Sequence, residues 1–392
     1  MKLRILPLLL AVLAFTLTGC SSSAGANENN EENAVNASDI IIGHVTDSHS
    51  WHILDYKTVE GGKIEEHVVG INLPIILVDD GRLELFSSKR FHHGKSVYQG
   101  KSHTYALVGG GLANEEIVCV EPAVGDADAV VCTDHEGNAY KALVDADGNT
   151  VKPIDISITK TAAAIMISVT LLIIIIMSVA RQYRKRGTAA PHGLQSLIEM
   201  LVLHVRDEIV GPILGHHTDK FLPYLLTLFF FIFFCNILGL IPIFPAGANI
   251  TGNIAVTAIL ALITFLITNL SGNRHYWKDI FNTPGVPAWL KVFPLMPVVE
   301  LVGVFTKPIV LMIRLFANMT AGHIIVLGFV TIIFIMTNVM GLYVGGAVSV
   351  VSVLFSVFID LLECLVAYIQ AFVFTMLSAL YISMAVETPE EA

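Results

Sequence analysis

Two kinds of hydrophobic patterning follow one another along the chain, and the change comes near residue 155. Between Ile40 and Pro153 the apolar residues fall in short segments, among them INLPIILV, RLELF, TYALV, EIVCV, AVVC and YKALV. Turn signals separate them, such as Asp79-Asp80-Gly81, Glu136-Gly137-Asn138 and Asp145-Ala146-Asp147-Gly148-Asn149. Short apolar runs punctuated in this way predict strands, so 40–155 reads as a small β-rich domain. Beyond it the apolar runs are long. Ala162–Ala180 is uncharged over 19 residues, enough to cross a hydrocarbon core about 30 Å thick as a helix. Leu222–Phe244, interrupted by Pro242, and Ile250–Leu270 predict two further spans. The last two stretches, 295–340 and 346–385, are each too long for one perpendicular crossing and carry scattered polar residues. They predict strongly tilted or partly horizontal helices with one face turned from lipid. Leu194–Val210 mixes apolar and ionisable residues at helical spacing and predicts an amphipathic helix at the membrane surface. The expected architecture is an all-α polytopic membrane domain over 156–392, with five spans and one interfacial helix, behind a small β-rich extracytoplasmic domain. It shows no internal repeat of the kind common in secondary transporters.

The N-terminus has a different grammar. Lys2 and Arg4 precede a 13-residue apolar run, Ile5–Leu17, and then Leu17-Thr18-Gly19-Cys20. A basic stretch, a short apolar run and small residues make an export signal, 1–20, too short to span. The stretch LTGCSSS resembles a bacterial lipoprotein signal, in which Cys20 would be acylated; ordinary cleavage nearby is the alternative. Residues 21–39, rich in Asn, Glu and Ser, read as a flexible linker.

Charge supports the division and orients it. Of the 392 residues 54% are hydrophobic and 14% charged, which argues against a single soluble core. Residues 21–155 hold 22 acidic and 9 basic side chains, whereas the remainder is slightly basic. The run Arg181-Gln-Tyr-Arg-Lys-Arg186 follows the first span, and the loop Asn273-Arg-His-Tyr-Trp-Lys278 follows the third. The positive-inside rule puts both in the cytoplasm, the N-terminal domain outside, and the acidic tail Glu387–Ala392 inside. A bacterial inner membrane with a periplasm is the expected setting.

Cysteine and histidine in the outer domain leave alternatives open. Cys119 and Cys132 lie symmetrically about Gly125-Asp126, so a hairpin turning there would set them opposite each other for a disulfide. The domain holds eight of the fourteen histidines, with His44, His49 and His52 near Asp47, and His92-His93 adjacent. None of their spacings matches a helical HExxH or a Cys/His zinc pattern, so no metal site is assigned. Cys235 and Cys364 lie in apolar runs and read as packing residues.

The informative region runs from Glu300 to Gln370, because ionisable groups within hydrocarbon are costly, about 3 kcal/mol or more for a central Arg. Arg314 sits mid-run, with no acidic residue before it in the chain until Glu300. Its countercharge must come from another helix or another subunit. Asn318, four residues on, shares its face, whereas His323, nine residues on, points the other way about 13 Å along the helix. Asp360, Glu363 and Gln370 can form one stripe of the last helix. A carboxylate and an imidazole on facing helices can exchange protons with water near neutral pH. A guanidinium that stays charged cannot carry the proton, so Arg314 would separate two aqueous half-pathways.

The stretch Phe305-Thr-Lys-Pro-Ile-Val-Leu-Met-Ile-Arg-Leu-Phe-Ala-Asn-Met-Thr-Ala-Gly-His323 closely resembles the signature of the a subunit of bacterial rotary (F-type) ATP synthase. The resemblance extends over 160–392, including Asn236-Ile-Leu-Gly-Leu-Ile-Pro242 and Leu362-Glu-Cys-Leu-Val-Ala-Tyr-Ile-Gln-Ala-Phe-Val-Phe374. It implies that Arg314 faces the essential carboxylate of a rotating c-subunit ring, that Asn318 and Gln370 line that passage, that Glu300 lies near a channel mouth, and that Asn236 lines the outer access path. In some relatives the position of His323 is an acid and that of Glu363 a histidine, so the pair is exchanged here with one acid and one imidazole retained. The partners implied are the c-ring, b-type peripheral stalk subunits, the rest of the complex and lipid. No nucleic acid or cofactor is expected, and without a Walker-type phosphate loop the chain is expected to be a non-catalytic channel subunit. The 40–155 domain is longer than that family usually carries, and nothing in the motif explains it. A stand-alone transporter using Arg314 as an anion site, or a surface module anchored by the helices, are the competing readings.

Overall fold

The computed structural model describes residues 46–60, 63–94, 96–108, 115–123, 130–133, 138–145, 149–186, 190–241, 247–281 and 295–386. The expected signal with Cys20, the linker 21–39, His44, Pro242, Pro245, the turn at Gly125-Asp126 and the tail Glu387–Ala392 lie outside them.

The N-terminal region is β-rich. Strands β1 (Ser50–Glu60) and β2 (Lys63–Asn72) pair as an antiparallel ribbon. β3 (Pro74–Asp79) and β4 (Arg82–Ser87) form a hairpin whose turn uses Asp80 and Gly81, both at positive φ. This is the Asp-Gly chemistry that a tight hairpin requires. β5 (Tyr98–Gln99), β6 (Thr104–Val108), β7 (Glu116–Pro122), β8 (Val130–Thr133) and β9 (Ala139–Ala142) make a second sheet in the order β5-β6-β7-β9-β8. β10 (Ile154–Asp155) returns to the free edge of β3. The alternating apolar positions meet between the sheets: Ile75, Leu77 and Phe86 pack with Tyr105, Ile117 and Cys119, closed by Phe91.

The strand order corrects the expected disulfide. β9 lies between β7 and β8, so Cys119 and Cys132 are two strands apart, and no disulfide joins them. Adjacent strands lie about 4.8 Å apart, so the second neighbour is beyond the about 7 Å that a disulfide can bridge. The register widens the gap, because Cys132 is level with Pro122 through Tyr140.

Among the described residues, five helical segments are long and apolar enough to cross a membrane. Helix α1 (Lys160–Arg186) is the first. α2 (Leu194–His204) continues through a π segment, Val205–Val210, and two short turns at 211–217 into α3 (Thr218–Leu240). The sequence predicts an amphipathic surface helix over Leu194–Val210; in the structure that segment is helical and continues toward Leu240, with its backbone broken at Gly215, φ 49°. Gln195, Ile198, Val205 and Ile209 turn inward, while Leu194, Leu197, Met200 and Leu203 form an exposed apolar stripe. α4 (Ile254–Ser271) is capped by Asn253, whose side chain accepts from the Ala255 amide, and α5 (Arg274–Phe281) occupies the basic aromatic loop.

α6 (Leu295–Met340) and α7 (Leu342–Val386) contain 46 and 45 residues, about 69 Å each at 1.5 Å per residue. Both exceed twice the hydrocarbon thickness, which requires steep tilt or a horizontal course. The chain reverses between them at Gly341, φ 86°, and the helices run antiparallel. Leu311, Leu315 and Met319 from α6 and Ala367, Ala371 and Phe374 from α7 share one core with Leu225, Phe229 and Ile232 from α3.

The β-rich region is seated on the helices. Trp51 and Leu73 pack against Ala163 and Ala164 of α1, Cys235 of α3, and Ala248 and Ile250 of the following loop. The start of α1 is capped from far away in sequence: the Thr161 amide donates to Asp47 at 3.0 Å and the Lys160 amide to the Ser48 carbonyl at 2.8 Å. A carboxylate there also meets the positive end of the helix dipole.

Candidate functional site

The close approach of α6 and α7 places the first pair of groups. Gly322 leaves room for Glu363: a Cβ at that position would sit 2.5 Å from Oε1 of the carboxylate. Glu363 is buried, and its Oε1 has no hydrogen-bond partner among the described residues. The next residue, His323, turns toward α3, where its Nε2 lies 3.6 Å from a Cβ built on Gly239. The imidazole and the carboxylate thus occupy one level of the α6–α7 hairpin.

One turn before Gly239, Asn236 is 1% exposed and accepts a hydrogen bond from the Thr251 hydroxyl at 2.6 Å. Its Nδ2, and that of buried Asn249, have no partner among the described residues. The loop Ala248–Asn253 bends over α6, where the Thr320 hydroxyl donates to the Gly252 carbonyl at 3.4 Å. A buried polar atom left unpaired costs about 1–3 kcal/mol, and water is its usual remedy. Asn236, Asn249, His323 and Glu363 together form a polar enclave inside an apolar bundle.

Arg314 faces elsewhere. It is half-buried and forms no ion pair among the described residues. Its neighbours on that side, Val310, Ala317, Asn318 and Ala321, are exposed. The surface around the guanidinium is therefore low and partly made of small side chains. Leu315, about 100° further round the helix, is fully buried. Counting equal steps along the antiparallel helices from Gly322 and Glu363 brings Gln370, buried on α7, to the level of Leu315, beside Arg314. Asp360 is half-buried one turn before Glu363.

On the other side of Arg314, the Lys307 ammonium lies 5.3 Å from the centre of the Tyr381 ring. Lys307 and Tyr381 line a pocket with Thr264, Thr268, Asn269 and Tyr276. Glu300, two turns earlier on α6, is partly exposed at the same end. Lys307 and His323 are seven and nine residues from Arg314, about 10 and 13 Å along the helix. Two polar regions thus flank the guanidinium.

Sequence reasoning missed Thr251, Asn249, Lys307 and Gly322. The polar run Asn249-Ile-Thr-Gly-Asn253 between two apolar spans was the available signal for the first two. Gly322 gave none, because its importance lies in what approaches it. A further cluster was missed in the outer domain, where Asp79, His103 and Cys119 each bring a metal-ligating atom within 4.8 Å of the other two.

Long apolar helices enclosing an acid, an imidazole and amides, with a cation turned outward, define a multi-pass membrane protein. The chain belongs to the ATP synthase A chain family, whose model matches residues 163–383; this is the membrane-sector a subunit of F-type ATP synthase, the proton-translocating membrane part of that complex. Residues 40–156 match a second family, described as Domain of unknown function (DUF8433). The chain is 43% identical over 238 residues to ATP synthase subunit a of Chloroherpeton thalassium, covering 59% of this chain and 67% of that one. It is 44% identical over 237 residues to ATP synthase subunit a 2 of Chlorobaculum tepidum, covering 59% and 64%. With ATP synthase subunit a of Myxococcus xanthus it shares 42% over 240 residues, 59% and 74% of the two chains.

Proposed function

We propose that the chain is the stator subunit that passes protons to and from a rotating c-ring, coupling their flow to ATP synthesis elsewhere in the complex. The observation that carries this reading is the contrast between Arg314, on an exposed face without an acidic partner among the described residues, and the enclosed His323/Glu363 pair behind it. A permanent cation on an outward, partly small-residue surface suits a carboxylate delivered by another subunit.

In this mechanism a proton enters from outside past Asn236 and the His323/Glu363 pair and neutralises a c-ring carboxylate. That carboxylate travels through lipid nearly a full turn. It then meets Arg314, which favours its ionised form, and the proton leaves through the second half-channel near Lys307 and Glu300. Asn318 and Gln370 orient the groups at the crossing. Each charge moved through 100 mV supplies about 2.3 kcal/mol, so several protons must pass per ATP. The c-ring, b-type stalk subunits and surrounding lipid are the partners, and the β-rich region lies on the periplasmic side of a bacterial inner membrane. Its seat beside Cys235, Ala248 and Ile250 supports a role as a cap over the inlet, since Asn236 and Thr251 are the next residues in chain.

The deciding experiment is ATP-driven proton pumping in inverted vesicles carrying Arg314→Ala, with c-ring co-purification as the assembly control. Pumping is expected to disappear while the ring still co-purifies. Normal coupled pumping in an assembled complex would reject the role given to Arg314.

A further inference from the structure

The geometry points to a mononuclear binding site for a borderline-soft divalent transition metal, zinc above all, formed by Asp79, His103 and Cys119 in the β-rich domain. The three residues come from separate elements: Asp79 ends β3, His103 closes the turn before β6, and Cys119 lies in the middle of β7. Asp79 is 8% exposed and Cys119 fully buried, whereas the His103 side chain is 31% exposed. The buried donors form the floor and His103 the side open to solvent.

The surroundings are built as a metal's outer shell would be. The Tyr105 hydroxyl, itself fully buried, donates to Asp79 Oδ2 at 2.8 Å and orients the carboxylate. Buried Glu84 accepts from the backbone amides of Lys101 and Ser102, and the Gly100 amide donates to the His103 carbonyl at 2.9 Å. These bonds hold the turn that presents the imidazole. Ile75, Leu77, Phe86, Phe91 and Ile117 make the apolar wall behind. Such outer contacts fix the orientation of ligands and exclude competing solvent.

The donor set selects the ion. One thiol, one imidazole and one carboxylate suit zinc, with ligand bonds of about 2.0–2.3 Å, and leave a fourth tetrahedral position for water. Calcium and magnesium prefer oxygen donors. Ligands of tetrahedral zinc lie roughly 3.3–3.8 Å apart by those bond lengths. The His103–Asp79 pair, at 2.7 Å, has to open slightly, and the other donor pairs, within 4.8 Å, need at most a contraction of about 1 Å. His103, on a turn and partly exposed, is the group able to make this adjustment by exchanging its 2.7 Å hydrogen bond with Asp79 for the metal. Binding releases the thiol proton to solvent, and no oxidation or reduction is involved.

The test uses the full chain purified in detergent and titrated with Co²⁺ as a probe, followed by Zn²⁺. One equivalent of Co²⁺ should give a thiolate-to-cobalt charge-transfer band that Zn²⁺ abolishes, and Cys119→Ser should lack the band. His103→Ala, at the exposed rim, should weaken Co²⁺ binding by at least about tenfold. Absence of the band in the wild-type chain, or its survival in Cys119→Ser, would overturn the assignment. Should Cys119→Ser not fold, zinc-edge X-ray absorption on the wild-type chain decides: a shell with one sulfur supports the site, and one of nitrogen and oxygen alone excludes it. Neither readout depends on proton translocation.

Discussion

At the scale of single residues, the chain uses enclosed titratable groups in two settings. Glu363 fits its place because Gly322 has no side chain, so its chemistry can be changed with little change of shape. Glu363→Gln should reduce ATP-driven pumping by at least about tenfold, in keeping with the loss of a positioned proton-transfer group, while the c-ring still co-purifies. Full pumping would remove Glu363 from the path. His49, in the β-rich region, is a second enclosed group. Burial, the largest influence, disfavours its charge, but the 2.9 Å hydrogen bond to Asp155 and the charges of Asp155 and Glu115 outweigh that and raise its pKa from 6.5 to about 9. Nδ1 lies 3.6 Å from Glu115, too far for a hydrogen bond, so that carboxylate acts on the ring through its charge. A pKa raised by folding stabilises most below the unfolded value and is lost as pH rises through the folded one. Thermal stability of the β-rich region, followed by Trp51 fluorescence, should therefore fall between pH 6.5 and about 9, and His49→Gln should flatten that slope.

At the scale of elements, the aromatic run of α3 is the common wall of the bundle. Phe229 is fully buried, stacks on Phe233 at 5.8 Å and meets Tyr368 of α7 edge-on at 6.2 Å. Phe229→Ala should cost about 3–5 kcal/mol, read as lower thermal stability of the detergent-solubilised chain. A loss below about 1 kcal/mol would mean that α3 and α7 are held together elsewhere. Most helices were legible in the sequence, because a crossing needs about 20 apolar residues and little else produces such runs. How the helix over 194–210 joins α3 was not, because an apolar and ionisable mixture at helical spacing fixes only that the helix is amphipathic. Burial of Gln195 and Ile198 against the bundle is a tertiary fact. The strand hairpin at Asp80-Gly81 was readable from local chemistry, whereas the placement of β9 between β7 and β8 was not.

At the scale of the whole molecule, a small apolar contact and the caps from Asp47 and Ser48 join the β-rich region to the helices among the described residues. Trp51 is its largest side chain, 5% exposed against Ala163, Ala164 and Ile250. Trp51→Ala should loosen that seat, giving faster protease cleavage near 156–159 and slower pumping in assembled vesicles. Unchanged cleavage and pumping would show that the caps made by Asp47 and Ser48 suffice alone.

The sequence alone carried the long apolar helices and the family, and it set the expectations of a division near residue 155 and of Arg314 within the membrane. Each rests on a local or periodic property: run length, charge within hydrocarbon, or a continuous motif. Only the tertiary structure decided that Glu363 rests on Gly322, that His323 turns to Gly239, that Cys119 and Cys132 stay apart, and that Cys119 lies instead with Asp79 and His103. Those neighbours are far apart in the chain. Their proximity follows from many elements packing at once, with register, strand order and helix rotation settled together, and no short window of sequence carries that information.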